Sequence, residues 1–242
     1  MSDAAAEAET TPRTPRERAR AQTIADIVRL GREHLATHGA AALSLRAVAR
    51  DLGVVSSAVY RYVANRDELL TLLLVDAYDE LGDAVDLAVN AVPPRDHAGR
   101  FKALGRAVRG WALREPARYG LLFGSPVPGY QAPAGRTTTP GTRVIYSLIG
   151  ILDTAYRAGG TTAARTAVVP PALSADLEVI RAGLGLAVPD ELLASGALVW
   201  TSLFGTVSFE VFGQYGADTF SARDELFEHH LAVLAGVAGL KG

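Results

Sequence analysis

The sequence predicts an all-α protein in which a small N-terminal group of three helices precedes a larger helical bundle. Apolar residues recur every three to four positions through long segments, and no segment alternates apolar and polar residues as a half-buried strand would. Capping residues, prolines and glycines mark where these segments begin and end. Since 49% of the 242 residues are hydrophobic, the chain can bury a sizeable core.

The first part of the chain predicts an arm followed by four helices. Residues 1–19 are rich in Ala, Thr, Pro and Arg without apolar periodicity, which predicts a flexible arm. Gly39 is placed to end the first helix, and Ser44 to cap the second. Asn65 and Glu68 have the spacing of a capping box before the fourth. The predicted helices cover residues 21–38, 45–52, 56–63 and 66–89.

The second part predicts a long loop among further helices. Residues 124–142 hold four prolines and four glycines, a composition typical of a loop. Thr139 and Pro140 would then begin the next helix, and Ser174 would cap the one after it. The predicted helices cover residues 97–115, 116–123, 139–158, 174–184, 189–213 and 221–240.

Charge is distributed unevenly along the chain, although the formal net charge is only −2. Ten arginines and four acidic residues give residues 13–66 a charge of +6, whereas residues 1–12 carry −3 and residues 67–242 carry −5. A basic front segment on an acidic body indicates either an anionic partner for the front segment or a solvated charged face.

Composition also predicts a cytoplasmic, soluble protein. The chain has no cysteine, which excludes disulfides, thiolate metal sites and cysteine nucleophiles. The N-terminus lacks the apolar centre of a secretory signal, and no run of about 18 apolar residues predicts a membrane span.

The spacing between residues 44 and 63 predicts a helix-turn-helix. Ala49 is small where the two helices approach each other, and Gly53 can adopt the left-handed turn conformation. The polar residues of the second helix then point outward, which is the DNA-reading arrangement. The apolar seam that fixes the crossing angle would consist of Val48, Leu52, Val54 and Val59.

The segment AALSLRAVARDLGVVSSAVYRYVANRDELLTLLL resembles the N-terminal DNA-binding region of TetR-type transcriptional regulators. The resemblance covers about residues 20–75. It implies a helix-turn-helix DNA-binding domain over residues 20–66 and a helical ligand-binding and dimerisation domain over residues 67–242. It also implies that double-stranded DNA is the partner of the first domain.

Carried over position by position, the resemblance implies two kinds of DNA contact. Hydroxyls, cations and helix N-termini bind phosphate, while small residues let a helix enter the major groove. Tyr60 and Tyr62 could alternatively be ordinary packing tyrosines. The expected phosphate contacts are Ser44, Tyr60, Tyr62 and Arg66, and the expected base contacts are Ser56, Ser57 and Ala58. Arg46 can reach the same face from the preceding helix or contact a phosphate.

Two departures from the family pattern bear on sequence preference. Val55 stands where a serine usually caps the recognition helix, so Ser56 is expected to cap it instead. Val63 replaces the usual phenylalanine behind Tyr60. Arg13, Arg16, Arg18 and Arg20 are interpreted as a solubilising tail or as minor-groove contacts.

The resemblance further implies a homodimer formed through the last two helices, and a repressor that a small apolar or aromatic effector releases from DNA. Two alternatives stay open: regulation by a protein partner, or no ligand regulation at all. The aromatic residues that could line an effector cavity are Trp111, Tyr119, Phe123, Tyr146, Trp200 and Phe204.

A helical enzyme or metal protein is the remote alternative. His34 and His38 lie one helical turn apart, which is metal-ligand spacing, but no third ligand is evident. Glu228, His229 and His230 are adjacent, and adjacent residues point to different helix faces. No nucleophile-elbow or phosphate-binding motif occurs. We therefore expect no enzyme activity, no metal and no cofactor.

Overall fold

The computed structural model describes residues 14–162 and 168–241, which fold into ten α-helices and one 3-10 turn with no β-strand in these ranges. The all-α class is confirmed. The helices are α1 (Pro15–His38), α2 (Leu45–Asp51), α3 (Ser56–Tyr60), α4 (Arg66–Asn90), α5 (His97–Arg114), α6 (Pro116–Phe123), α7 (Ala134–Arg157), α8 (Pro171–Leu184), α9 (Asp190–Val211) and α10 (Arg223–Val237).

The first three helices and the start of α4 enclose a small aliphatic core. Gly31 permits the close crossing of α1 and α4, because a Cβ there would lie 3.2 Å from the Leu73 side chain. The buried side chains of this N-terminal core are Ile27, Val28, Leu30, Leu43, Leu45, Val48, Ala49, Val59, Val63, Leu69, Leu70 and Leu73.

A second, larger core fills the C-terminal domain between α4, α5, α6, α7, α9 and α10. Trp111, Phe101 and Tyr119 are its largest fully buried side chains. Helix α4 belongs to both cores, since Leu69 to Leu73 lie in the first and Leu81 to Val89 in the second. Its 25 residues therefore connect the two domains as one continuous element.

Five side chains form a polar cluster where α1, α4, α5 and α6 meet, which we call the junction cluster: Arg32, Asp76, Glu80, Trp111 and Arg118. The Arg118 guanidinium donates to Glu80 Oε2 at 2.7 Å and to Asp76 Oδ2 at 3.0 Å. Arg32 of α1 donates from Nε to the same Asp76 carboxylate at 2.7 Å. The cluster thus ties the N-terminal domain to the C-terminal domain.

The predicted loop over residues 124–142 is wrong in its second half, because α7 already begins at Ala134. Tertiary contacts stabilise this first part of α7 despite Pro140 within it, which removes one helical N–H donor. Arg136 pairs with Glu68 of α4 at 2.8 Å. The true connection packs Val127 and Tyr130 against the N-terminal core, and the Tyr130 hydroxyl lies 2.9 Å from that of Thr71.

Other helix boundaries also need correction. Residues 15–19 of the expected arm are helical, because Thr14 and Glu17 form a capping box and Pro15 occupies the first turn; residues 1–13, including Arg13, lie outside the described residues. Helix α3 ends at Tyr60, three residues earlier than expected. Ser174 lies inside α8 and donates to Asp190.

Helix α9 is long and apolar enough to cross a membrane, judged by length and composition alone. It packs against α5, α7, α8 and α10, and eight of its residues are buried. A helix that is apolar nearly all round suits a core position with a second apolar face directed outward. Its outward face includes Leu198 and Phe209.

Candidate nucleic-acid interface

The turn between α2 and α3 has the geometry that the sequence predicted. Gly53 has a φ of 73°, in the left-handed region that favours glycine. Ala49 and Val59 are buried where α2 and α3 pack together. Val54, expected in the apolar seam, is instead 40% exposed, because its position follows the turn and points away from the crossing. Val48, Ala49 and Val59 are buried in the seam, and Leu52, also expected there, is partly buried against the same core.

The recognition helix α3 begins without a side-chain cap. Val55 is its N-cap residue, with extended backbone (φ −67°, ψ 143°) and no side-chain hydrogen bond. The prediction that Ser56 caps this helix is wrong, since Ser56 is already its first helical residue. The Val55 carbonyl accepts from the Ala58 N–H at 2.9 Å, so a tight backbone turn replaces the cap.

The candidate residues of α2 and α3, two helices that pack against each other, are all at least partly exposed, and we call them together the recognition surface. Arg46, Ser57 and Tyr60 are exposed, and Tyr60 exposes 45% of its area. Ser44, Ser56 and Ala58 are half-buried. Ser44 is the N-cap residue of α2, yet its side chain makes no capping bond and stays available to an external partner.

Tyr62 and Arg66 are already engaged within the protein. Tyr62 packs against the N-terminal core, and the Arg20 guanidinium lies 5.6 Å from the centre of its ring. Arg66 donates to the Ala40 carbonyl at 2.9 Å and to the Ala41 carbonyl at 3.3 Å. The sequence did not reveal these contacts, because each joins residues far apart in the chain.

A contact between α1 and α2 also escaped the sequence analysis. His34 Nε2 lies 2.6 Å from Asp51 Oδ2 at the end of α2. The hydrogen bond to His34, together with one from Arg50, lowers the pKa of the Asp51 carboxyl. His34 thus contacts a carboxylate, and no group of three metal-ligating side chains occurs among residues 14–162 and 168–241.

The six candidate aromatic residues of the C-terminal domain fall into three places. Tyr119, Phe123, Phe204 and Trp200 stack in sequence, with centroid distances of 5.1, 4.5 and 4.3 Å. Trp111 is fully buried beside Arg118 in the junction cluster. Tyr146 is 48% exposed and lines a separate open cleft of about 470 Å³ between α4, α5 and α7.

The buried tyrosine of the aromatic stack is satisfied internally. Its hydroxyl lies 2.8 Å from Ser208 Oγ and donates to the Phe204 carbonyl at 3.2 Å. Burial raises the pKa of Tyr119, with the Ser208 contact acting in the opposite direction. This tyrosine therefore serves the core in the present conformation, whereas Tyr146 faces a space that a small molecule could enter.

Two family profiles match the chain. "Bacterial regulatory proteins, tetR family" matches residues 27–73, and "Tetracyclin repressor-like, C-terminal domain" matches residues 101–234. Their boundary region coincides with α4, the helix that both cores share. The N-terminal match contains the whole recognition surface.

Proteins that are similar in sequence or in structure support the same family assignment. The HTH-type transcriptional regulator Rv1816 of Mycobacterium tuberculosis is 48% identical over 219 residues, covering 90% of this chain and 93% of that protein. The crystal structure of the putative regulatory protein SCO4313 superposes with a TM-score of 0.74 at 36% identity, covering 92% of this chain and all of that one. The regulator PfmR from Thermus thermophilus shares the fold at 13% identity, with a TM-score of 0.55 and coverage of 89% and 99%.

Proposed function

Since the chain belongs to the TetR family of helix-turn-helix transcriptional regulators, we propose that it represses transcription in the cytoplasm by binding an operator as a homodimer. The observation that carries the proposal is the recognition surface, where Arg46, Ser57 and Tyr60 are exposed while Val59 behind them is buried. Regulators of this family are not normally enzymes.

We assign phosphate contacts to the hydroxyl and guanidinium groups around α2 and α3. Ser44 and Tyr60 have hydroxyls free to approach the DNA backbone, and Arg46 is exposed beside them. Arg66 uses one terminal nitrogen for both of its carbonyl bonds, and the other lies 3.9 Å from Asp67 Oδ1, beyond hydrogen-bond distance, so its remaining N–H groups can still donate to a phosphate. Tyr62 would contact the backbone through its hydroxyl while Arg20 supports its ring.

We assign base contacts to the small residues at the start of α3. Ser56, Ser57 and Ala58 have side chains short enough for the helix backbone to approach the floor of the major groove. The absence of a bulky residue there favours docking by shape as well as by hydrogen bonds. These three positions are therefore where substitutions would change the preferred sequence.

The homodimer is proposed to form through α9 and α10. Leu198, Phe209 and Phe212 at α9 and Val233 of α10 are exposed apolar side chains on the two final helices. Exposed apolar patches of this kind mark interaction surfaces in soluble proteins. A second copy of the same surface would cover them in a symmetric interface, as most soluble homo-oligomers do.

A small effector bound in the C-terminal domain is proposed to lower the affinity for DNA. The C-terminal domain supplies both an aromatic stack and an open cleft beside α4, the helix that continues into the N-terminal core. The competing possibility is a dimer that no small molecule regulates. A thermal-shift screen with small molecules separates the two, because a ligand that binds only the folded protein stabilises it.

Binding to genomic DNA fragments, including the upstream region of the protein's own gene, tests the central proposal. A dimer that makes about 6–10 phosphate contacts should lose affinity steeply as salt rises. Tyr60→Phe should weaken binding to every fragment alike, whereas Ser57→Ala should change the ranking of fragments. The proposal fails if no fragment is bound selectively at moderate salt, and the contact types are wrong if both variants behave alike.

A further inference from the structure

The cleft between α4, α5 and α7 is large enough for a small molecule. Its volume of about 470 Å³ lies within the range of about 300–1,000 Å³ that ligand sites occupy. One wall is apolar and consists of Val89, Ile151 and the Tyr146 ring. The rest of the lining includes polar side chains, among them Arg100, Asn90, Ser147 and Thr154.

Arg100 stands out among the lining residues because its charge is not compensated. It is half-buried, and its Nε atom is shielded from solvent without any hydrogen-bond partner among the described residues. The Nε atoms of Arg118 and Arg181 are also unpartnered, but the terminal nitrogens of these two arginines pair with carboxylates. No ion pair joins it to a carboxylate in the described parts of the chain. A shielded donor on a charged group is costly unless a partner satisfies it, so Arg100 is poised for an external acceptor.

Other arginines in this domain, in contrast, are paired with carboxylates of the protein itself. Arg143 of α7, which also lines the cleft, donates to Asp86 at 2.6 Å, to Asp83 at 2.8 Å and to the Asp79 carbonyl at 3.2 Å. Further along α5, Arg109 makes two bonds of 2.7 Å with Glu210. The single Arg143 guanidinium is shared by the carboxylates of Asp79, Asp83 and Asp86, which leaves an excess of negative charge around it. Among the described residues that line the cleft, Arg100 is the cation without a carboxylate partner.

We propose that this cleft is the effector site, and that it binds a small amphipathic carboxylate whose carboxyl group pairs with Arg100. A planar guanidinium binds a carboxylate through two parallel hydrogen bonds, which fixes the orientation of the ligand. The apolar part of the ligand lies against Val89, Ile151 and Tyr146, and the hydroxyl of Ser147 is available to its polar substituents. This inference rests on the proposed regulation by a small effector, and it adds a carboxyl group to the apolar or aromatic effector that the sequence predicts.

Helix α4 provides the route from this site to DNA. Asp86, Val89 and Asn90 at its C-terminal end line the cleft, while Leu69 and Leu70 at its other end lie in the N-terminal core. A ligand bound between α4 and α7 therefore contacts α4, the helix that positions the DNA-binding helices. Because the Arg136–Glu68 pair joins α7 to the same N-terminal end, movement of α7 is transmitted there as well.

Binding of simple carboxylates to the full-length protein tests the site directly. The probes are benzoate, phenylacetate and hexanoate, each compared with its neutral amide, and benzylamine represents the opposite charge. We expect at least one carboxylate to raise the Tm and to give a binding isotherm by calorimetry. The matching amide and benzylamine should bind at least tenfold more weakly.

Two variants and one control identify the residues involved. Arg100→Gln should weaken carboxylate binding at least tenfold, whereas Arg95→Gln removes the same charge from an exposed position nearby and should leave it unchanged. Gly150→Leu keeps Arg100 but fills the cleft, since a Cβ at Gly150 meets no atom within 4 Å. It should also weaken binding, and leucine in place of glycine favours the helix, so a loss of binding would not reflect unfolding.

The outcomes distinguish a failure of the proposed binding site from a failure of the proposed ligand regulation. The inference is overturned if no carboxylate binds, if benzylamine binds instead, or if Arg100→Gln and Gly150→Leu bind carboxylate as well as the original protein. A carboxylate that binds through Arg100 but leaves the affinity for DNA unchanged supports the site and contradicts the proposed ligand regulation. Loss of DNA affinity on binding supports both.

Discussion

The junction cluster and the recognition surface use the same kinds of side chain in opposite ways. In the junction cluster, Arg118 is almost fully buried and donates to two carboxylates and a carbonyl. On the recognition surface, Arg46, Ser57 and Tyr60 have no side-chain hydrogen bond to another residue within the described ranges. The first region holds two domains together, and the second leaves its donors for a partner.

This difference gives a criterion for recognising binding positions in the rest of the molecule. A charged side chain that is paired internally contributes to the architecture, while one placed at a concave or exposed site without a partner is available to bind. Arg100 meets the second condition although it lies in the C-terminal domain. Arg143 lines the same cleft but is paired with Asp86, so it meets the first condition.

The strongest test of the comparison is the removal of Arg118. Arg118→Met removes the most deeply buried partner of Asp76 and Glu80 and should lower the free energy of unfolding by about 2–4 kcal/mol. The loss stays below that of a fully buried pair because both carboxylates reach solvent and Arg32 still pairs with them. Urea denaturation followed by circular dichroism measures the change. Arg46→Met is the matched control and should stay within about 0.5 kcal/mol. Equal losses in the two variants would contradict the distinction between the regions.

Acid should reduce the gap between the original protein and Arg118→Met. Burial alone would raise the pKa of Glu80, but hydrogen bonds from Arg118 and Trp111 outweigh it and hold this pKa below its ordinary value of 4.5. A depressed pKa in the folded state stabilises the protein above the ordinary value, and this contribution is lost as the pH falls through the folded-state pKa. The unfolding free energies of the two proteins should therefore differ less at a pH of about 3.5 than at a pH of about 7. A gap that stays constant would rule out a charged pair.

A cap on α3 should stabilise the recognition surface without changing its contacts. Val55→Ser supplies the side-chain acceptor that the helix lacks and should raise the free energy of unfolding by about 0.5–1 kcal/mol. Val54→Ser is the control, because the same polar substitution at an exposed position outside the cap should give no gain. Thermal and urea unfolding of both variants measure the effect, and a gain from Val54→Ser alone would show that the cap is not its cause.

The smallest effect on stability, but a clear one on binding, is expected for Arg46. Arg46→Ala should change the free energy of unfolding by less than about 0.5 kcal/mol. It should also reduce the slope of log affinity against log salt by about 2 for a dimer, since each protomer loses one phosphate contact. Filter binding over a series of salt concentrations measures the slope. An unchanged slope would remove Arg46 from the phosphate contacts.

Much of the fold was predictable because local patterns encode it. Gly39 and Gly53 end helices or turn the chain, and Asn65 caps α4 by accepting from the Glu68 N–H. The predicted and observed helices agree to within two residues outside α1, α3, α7, α8 and α10. The arrangement of Ser57 and Tyr60 outward with Val59 inward was also predictable, since helical spacing alone places them on opposite faces.

The sequence by itself determined the all-α class, the helix-turn-helix and its outward face, because these depend on residues within a few positions of one another. Only the tertiary structure decided that α7 begins at Ala134, where Arg136 meets Glu68 from 68 positions away. It likewise decided that Arg118 is paired with carboxylates of α4 while Arg100 has no such pair. Whether a charged side chain has a partner depends on helices distant in the chain. Patterns among neighbouring residues therefore cannot predict such a pair.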